Sequence, residues 1–307
     1  VHNDPSASTF ARMSDSPPPS GTLYLVATPI GNVEDLSPRA RRLLGEVDRV
    51  AAEDTRHTGR LLKRLEIDAR MVSLHQHNEA ERSAEILGWL AAGEQVALVS
   101  DAGTPLVSDP GGRLVRAVRE AGHCVVPIPG PSAVLAALTG SGLPWERFTF
   151  LGFIPRKGEA RSSTLERIAG SEETTVMFES PERTARLLTD LLALCEPDRE
   201  VAVARELTKL HEEFRVGTLA DLADYHEREG IRGEVTVVVA PAPADREAPA
   251  SQDLEEAAAR LLDGGMRPSA AAKEIVARFG VPRNEAYQLV QSVQESADAN
   301  EGERDDE

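Results

Sequence analysis

The stretch ALVSDAGTPLVSDPGG, Ala97–Gly112, decides the fold. It completes a short apolar run, Val96–Val99, of the length of a buried strand, then passes through Gly, Pro, Ser and Asp into an amphipathic segment, Leu114–Ala121. Strand, turn-rich loop and helix in that order make half of a βαβ unit. Outward from it the same order repeats, with strands expected at Leu23–Ala27, Arg49–Ala52, Met71–Leu74 and Cys124–Ile128. Helices are expected between them at Arg39–Val47, Leu61–Leu65 and Glu85–Ala92. Gly93 and Gly122 stand where a left-handed residue ends the helices before them. Such alternation predicts a parallel sheet covered on both faces.

In an open parallel sheet, ligands bind beyond the carboxyl ends of the strands. All five ends here carry unusual residues: TPIGN (Thr28–Asn32), EDTRHTG (Glu53–Gly59), HQHNE (His75–Glu79), SDAGTPLVSDPGG (Ser100–Gly112) and PGPSA (Pro129–Ala133). Neither G-x-G-x-x-G after the first strand nor G-x-x-x-x-G-K-[ST] is present, so a dinucleotide or a triphosphate lacks its usual cradle. Gly and Pro instead bring backbone groups close to a ligand, beside Asp101 and Asp109. Carbonyls and carboxylates suit a cationic, adenosine-bearing ligand such as a sulfonium. For SDPGG an equal alternative is that Pro110 and Gly111 simply start the next helix.

A second α/β set follows SGLP (Ser141–Pro144), with strands expected at Phe148–Phe153, Thr174–Phe178, Val201–Ala204, Phe214–Val216 and Val235–Ala240 in a mixed sheet. PAPADREAPA (Pro241–Ala250) reads as a linker. Three short helices are expected beyond it, at Asp253–Leu262, Pro268–Phe279 and Pro282–Val293. Gly280 and Val281 would form the turn of a helix-turn-helix or of a plain helical bundle. The expected divisions are a disordered N-terminus at 1–21, α/β domains at 22–142 and 143–241, a linker at 242–251, a helical domain at 252–294 and an acidic tail at 295–307.

Composition sets outer limits. With 307 residues the chain has room for two to three domains, and no apolar run approaches the roughly 18 residues that span a bilayer. Val1–Ser20 lacks the basic and apolar regions of a signal peptide, and Met13 is a candidate translation start. Cys124 and Cys195 lie in apolar stretches and are expected as buried thiols in the cytoplasm. The net charge of −17 disfavours tight non-specific RNA binding. Residues 295–307 carry seven acids against one base, whereas Gly21–Ala240 carries 34 against 26, so a local basic site remains open.

Nine ordered blocks, VATPIGN, AEDTRHT, HNE, ALVSDAGTPLVSDPGG, IPGPSA, FLGFIPRKGEAR, FESPERT, ARELTKLHEE and GEVTVVV, resemble the ribosomal small-subunit methyltransferase I branch of the tetrapyrrole methylases over nearly all of Gly21–Ala240. One departure is Glu182, where His is expected in that branch. The resemblance implies a two-domain tetrapyrrole-methylase (class III methyltransferase) α/β fold with a small C-terminal helix-turn-helix-like appendage. It implies S-adenosylmethionine as cofactor in the cleft between the domains, a homodimer, and 2′-O-methylation of a cytidine ribose in 16S RNA of the small ribosomal subunit. Alternatives are methylation of a precorrin or uroporphyrinogen, and a non-catalytic ribosome-binding protein.

On that resemblance the cofactor residues are Pro29, Gly31, Asp101, Ala102, Gly103, Thr104, Ser132, Ala133 and Phe178, the last packing on adenine or only on the core. Glu53 and Asp54 are the candidate bases for the hydroxyl proton, and Asp54 is equally placed to cap the next helix. Arg56, Asn78, Arg183, Arg205 and Lys209 are candidate RNA contacts, with a second basic cluster at Arg156, Lys157 and Arg161. His75 and His77 share a face but lack further ligands at metal spacing, so no metal is expected.

Overall fold

A computed structural model describes residues 21–243, 251–279, 281 and 283–302. The expected disorder of residues 1–20, most of the linker, Gly280 of the helix-turn-helix and residues 303–307 lie outside the described residues.

The first sheet comprises β1 (Thr22–Val26), β2 (Arg49–Ala52), β3 (Met71–Ser73), β4 (Val96–Val99) and β5 (Cys124–Ile128). All pairings are parallel, in the order β3-β2-β4-β1-β5. Its helices are α1 (Pro38–Glu46), α2 (Thr55–Arg64), α3 (Glu79–Ala91), α4 (Gly112–Glu120) and α5 (Ala133–Gly140). Alternate side chains of each strand feed opposite faces. Leu23, Ala51 and Leu98 meet Ile86, Leu90, Leu114 and Val118 on one face. Val26, Val50, Ala97 and Val99 meet Ala40, Leu44 and Leu62 on the other. From β1 the chain crosses to β2 on one side, and from β4 to β5 on the other, so loops leave two adjacent strands in opposite directions. A crevice opens at such a switch point.

The second sheet is mixed, in the order β6-β7-β10-β8-β9, from β6 (Phe148–Phe153), β7 (Thr174–Glu179), β8 (Glu200–Arg205), β9 (Glu213–Thr218) and β10 (Val235–Val239). Only β6 and β7 run parallel. Its helices are α6 (Glu159–Ala169), α7 (Pro181–Leu192) and α8 (Leu219–Glu229). One face of this sheet is covered by α5, whose Val134, Ala137 and Leu138 join Val176, Ala202, Ala204 and Val238 in one core, together with Ile30 from the β1 loop. The expected division at residue 142 therefore falls behind a helix that already belongs to the second lobe's core. Both sheets lie in one compact unit for that reason.

A second unit contains α9 (Ser251–Asp263), α10 (Pro268–Phe279) and α11 (Arg283–Gly302), packed around Ala258, Ala271, Ala272, Ile275, Ala286 and Val290. The expected acidic tail from Glu295 is corrected here, because α11 continues to Gly302. Cys124 is a second correction. It lies on the edge strand β5 and is exposed, whereas Cys195 is buried. No described helix is long and apolar enough to cross a membrane.

Leu138 is 4% exposed and lies where α5 meets the second sheet. Leu138→Ala leaves a cavity there and is expected to cost about 2–5 kcal/mol in urea unfolding. A loss under about 1 kcal/mol would show that α5 contributes little to the shared core.

Candidate functional site

The β1 and β4 loops are stitched into one wall. Thr28 N–H donates to the Gly103 carbonyl (2.9 Å), Gly103 N–H donates to the Thr28 carbonyl (3.0 Å), and the Thr28 hydroxyl donates to the Ser100 carbonyl (3.1 Å). Gly103 takes φ +81°, which favours glycine, and approaches Ile30 closely. Leu106 (φ 75°) and Ser108 (φ 68°) in the same loop, and Glu206 (φ 51°) and Thr208 (φ 66°) opposite, also hold left-handed backbone. Such residues cost on the order of 1–3 kcal/mol each and gather at binding sites. The lobes touch where Asn32 N–H donates to the Thr208 hydroxyl (3.0 Å) and Gly31 abuts Thr208 and Lys209 so closely that a side chain would collide with both.

Between these walls lies a cavity of about 320 Å³. From the first lobe it takes Ala102, Gly103, Thr104, Val107, Ser108, Asp109, Ser132 and Ala133, and from the second Phe153, Phe178, Glu179 and residues Gly233 to Thr236. Phe178 packs edge-on against Phe150 (5.0 Å between centroids) and beside Phe153 (5.4 Å) while lining the cavity, so it serves core and site together. The charged lining residues are Asp109, Glu179 and Glu234, all acidic. Glu179 is almost fully buried, accepts from Ser180 N–H (2.7 Å), pairs with Arg183, and leaves its second carboxylate oxygen without a hydrogen-bond donor. Arg183 and Lys209 balance Glu179 and Glu234, so Asp109 is the lining carboxylate with no ion pair among the described residues, and the lining itself contains no cation.

Both readings of SDPGG are realised. Ser108 and Asp109 line the cavity, while Gly111 is the N-cap of α4. The α4 N-terminus is already occupied by the buried Glu79 carboxylate, which accepts from the N–H groups of Gly111 (3.1 Å) and Arg113 (2.9 Å).

A second cavity of about 290 Å³ shares Ile30, Ala102 and Glu234 with the first. Pro29, Gly31 and Asp101, expected around the cofactor, line this one instead. So do His57, Arg60, Leu61 and Arg64 from α2, and Lys209. Sequence reading passed over His57, Arg60 and Arg64, although their spacing of three and four marks one helix face. It also passed over Phe153, Glu179 and Glu234, which lie outside the strand-end loops of the first sheet.

Asp54 is the N-cap of α2. Its carboxylate accepts from Arg56 N–H (2.8 Å) and pairs with the Arg56 guanidinium (3.3 Å), which holds its pKa below the usual range. The capping alternative is thus realised. Glu53 is pushed up by burial and by the neighbouring charges of Asp109 and Asp101. Burial also pushes Asp109 up, against a hydrogen bond from Ser100 and with Asp101 adding to the rise.

The expected RNA contacts are largely engaged within the protein. Arg56 pairs with Asp54, Arg183 with Glu179, and Arg205 with Glu213 (3.1 Å), while Lys209 pairs with Glu206 (2.9 Å) and Glu234 (3.0 Å). Asn78 ties its own loop, accepting from His75 N–H (2.8 Å) and donating to the Ser73 carbonyl (3.1 Å). In the second basic cluster Arg161 is 5% exposed and is bound to Asp190 (2.7 Å).

Two α/β lobes enclosing an acidic, oxygen-lined cavity at the strand ends are the architecture of a methylase family. The chain belongs to the tetrapyrrole (corrin/porphyrin) methylases, whose sequence model matches residues 22–223. Within that family it is 45% identical over 270 residues to a Synechocystis protein named ribosomal RNA small subunit methyltransferase I, covering 88% of this chain and 97% of the relative. A protein of the same name from Micromonospora olivasterospora is 50% identical over 276 residues, covering 88% and 87%. The fold also matches solved structures. Uroporphyrin-III C-methyltransferase from Thermus thermophilus, complexed with S-adenyl homocysteine, has TM-score 0.53 and 23% identity over 72% of this chain and 97% of that one. A cobalt precorrin-4 methyltransferase has TM-score 0.56 and 17% identity over 71% and 94%.

The raised pKa values of Glu53 and Asp109 fix the sign of two pH effects. The folded state holds these protons more tightly than the unfolded chain, so their stabilising contribution is full below the unfolded carboxylate range and is lost as pH rises through the folded values. Attraction for a cationic ligand runs the other way, disappearing as pH falls through the same values. Asp109→Asn is therefore expected to flatten the acid-side dependence of thermal stability and to weaken binding of S-adenosylmethionine about tenfold, or about 1.4 kcal/mol, by calorimetry at neutral pH. Unchanged affinity would remove Asp109 from the site.

Proposed function

We propose that this protein transfers the methyl group of S-adenosylmethionine to a ribose 2′-hydroxyl of a cytidine in small-subunit ribosomal RNA. The observation that carries the reading is a cavity whose charged lining residues are all carboxylates, Asp109 among them without an ion pair among the described residues, in a chain 45–50% identical to relatives named for methylating that RNA. The residues fit the donor. Phe178 and Phe153 offer apolar faces to an adenine, the Gly103 turn and Ser132 offer hydrogen-bonding groups, and Asp109 and Glu179 balance a positive charge. S-adenosylmethionine, when bound, supplies an electrophilic methyl carried on a cationic sulfur.

The chain's own work is alignment and proton removal. The stitched loops hold the cavity wall rigid, and strained backbone at Leu106 and Ser108 fixes one loop shape. Of the two candidate bases Glu53 is the one with no ion pair among the described residues, because Asp54 is spent on the α2 cap and on Arg56. The same reading carries a symmetric pair of chains acting in the cytoplasm.

Incubation with labelled S-adenosylmethionine and small subunits lacking the mark is expected to give one cytidine resistant to alkaline cleavage on its 3′ side. Absence of transfer there, with transfer to uroporphyrinogen or a precorrin, would reassign the acceptor. Failure to bind S-adenosylmethionine in calorimetry would leave only a ribosome-binding role. Glu53→Gln is expected to lower kcat about 100-fold with donor affinity held within about twofold. An undiminished kcat would exclude Glu53 as the base.

A further inference from the structure

The second cavity differs from the first in carrying cations beside its two carboxylates, Asp101 and Glu234. Its cationic residues are Arg60, Arg64 and Lys209. Lys209 is already committed: burial lowers its pKa, and the hydrogen bonds to Glu206 and Glu234 outweigh that and hold it charged as part of an ion-paired cluster. Arg60 and Arg64 differ. Among the described residues neither has a carboxylate within ion-pair distance, and the Arg60 guanidinium meets only the His57 ring, at 3.4 Å from Nδ1. Both are exposed, one helical turn apart on α2, and both line the cavity.

The arginines expected from the sequence to meet RNA or to form its second basic cluster are mostly paired. Arg56, Arg161, Arg183 and Arg205 each carry an acidic partner, so an incoming phosphate would have to displace it. In a chain of net charge −17, an RNA strand needs local positive charge that no carboxylate already balances. Such charge lines a cavity that shares Ile30, Ala102 and Glu234 with the donor cavity. Arginine forks bind phosphate oxygens in pairs.

We propose that the α2 face made by Arg60 and Arg64, with His57 beside them, seats the sugar-phosphate backbone next to the nucleotide being methylated. The inference rests on the RNA reading above and adds the place where RNA is held. Phosphate on these two arginines would lie in the cavity that shares Ile30, Ala102 and Glu234 with the acidic one. Negative charge stays on one side and the positive methyl donor on the other.

The test compares wild type, Arg60→Gln/Arg64→Gln, Arg60→Lys/Arg64→Lys and Lys63→Gln, an exposed cation on the same helix that does not line the cavity. Each is assayed for transfer to unmarked small subunits across a salt series, and for S-adenosylmethionine affinity by calorimetry. The Gln pair is expected to raise KM for subunits about tenfold or more and to reduce the salt slope of log(kcat/KM) by about one for each arginine. Donor affinity should stay within about twofold, and the Lys pair should recover most of the loss. Unchanged KM and salt slope would overturn the proposal, as would an equal effect of Lys63→Gln or a parallel loss of donor binding. If wild type transfers nothing to subunits, the RNA reading itself has failed. Should uroporphyrinogen then be methylated in an arginine-dependent way, the occupant is an acidic tetrapyrrole and the RNA seat is overturned.

Discussion

The paired hydrogen bonds between Thr28 and Gly103 are the constraint on which the site depends. They join loops that leave adjacent strands in opposite directions, at the point in the sheet where a crevice must open. Without them Ser100–Gly112 would be a long loop with no reason to keep one shape. With them, the left-handed backbone at Gly103, Leu106 and Ser108 is held, Ile30 is fixed beneath it, and Thr104 can donate its hydroxyl to the Pro131 carbonyl (3.1 Å). One short bridge thus sets the positions of three of the five strand-end loops.

Charge is sorted across this wall. The charged residues of the first cavity are all acidic, whereas the second adds Arg60, Arg64 and Lys209 to Asp101 and Glu234. Elsewhere arginine is used as internal fastening: Arg161 to Asp190, Arg199 to the Ala240 carbonyl (2.7 Å), and Arg49 to Glu94 with its guanidinium over the Trp89 ring. Pairing of this kind takes those arginines out of the free positive charge of a chain whose total is strongly negative. Where that charge remains carries more meaning than how many bases there are.

The first sheet was legible because buried parallel strands are short apolar runs, and because Gly and Pro mark their ends. Helix starts were less so. Apolar spacing finds Leu61–Leu65, but α2 begins at Thr55, since its first turns are polar and exposed and are announced only by the Asp54 cap. Arg60 and Arg64 fall within the helix that this cap announces, but the cavity their shared face lines forms only on folding. The local pairs Arg56–Asp54 and Arg183–Glu179 lie at readable spacing, whereas Arg161 and Asp190 are 29 residues apart and meet only through folding. Cys124 looked buried by its neighbours, yet lies on an edge strand whose position depends on sheet order.

Helix α5 reads as an unmarked apolar segment, AVLAALTG, and its sequence gives no hint that it serves the far sheet. Its packing has a mechanical result. Ser132 and Ala133 at its start line the acidic cavity, while its buried side is embedded in the second lobe's interior. Swinging the lobes apart would drag a close-packed helix out of its bed, and interiors of this density resist gradual deformation. The exposed part of the cavity's lining is instead at its edge, where Phe153, 59% exposed, lies outside that close-packed interior.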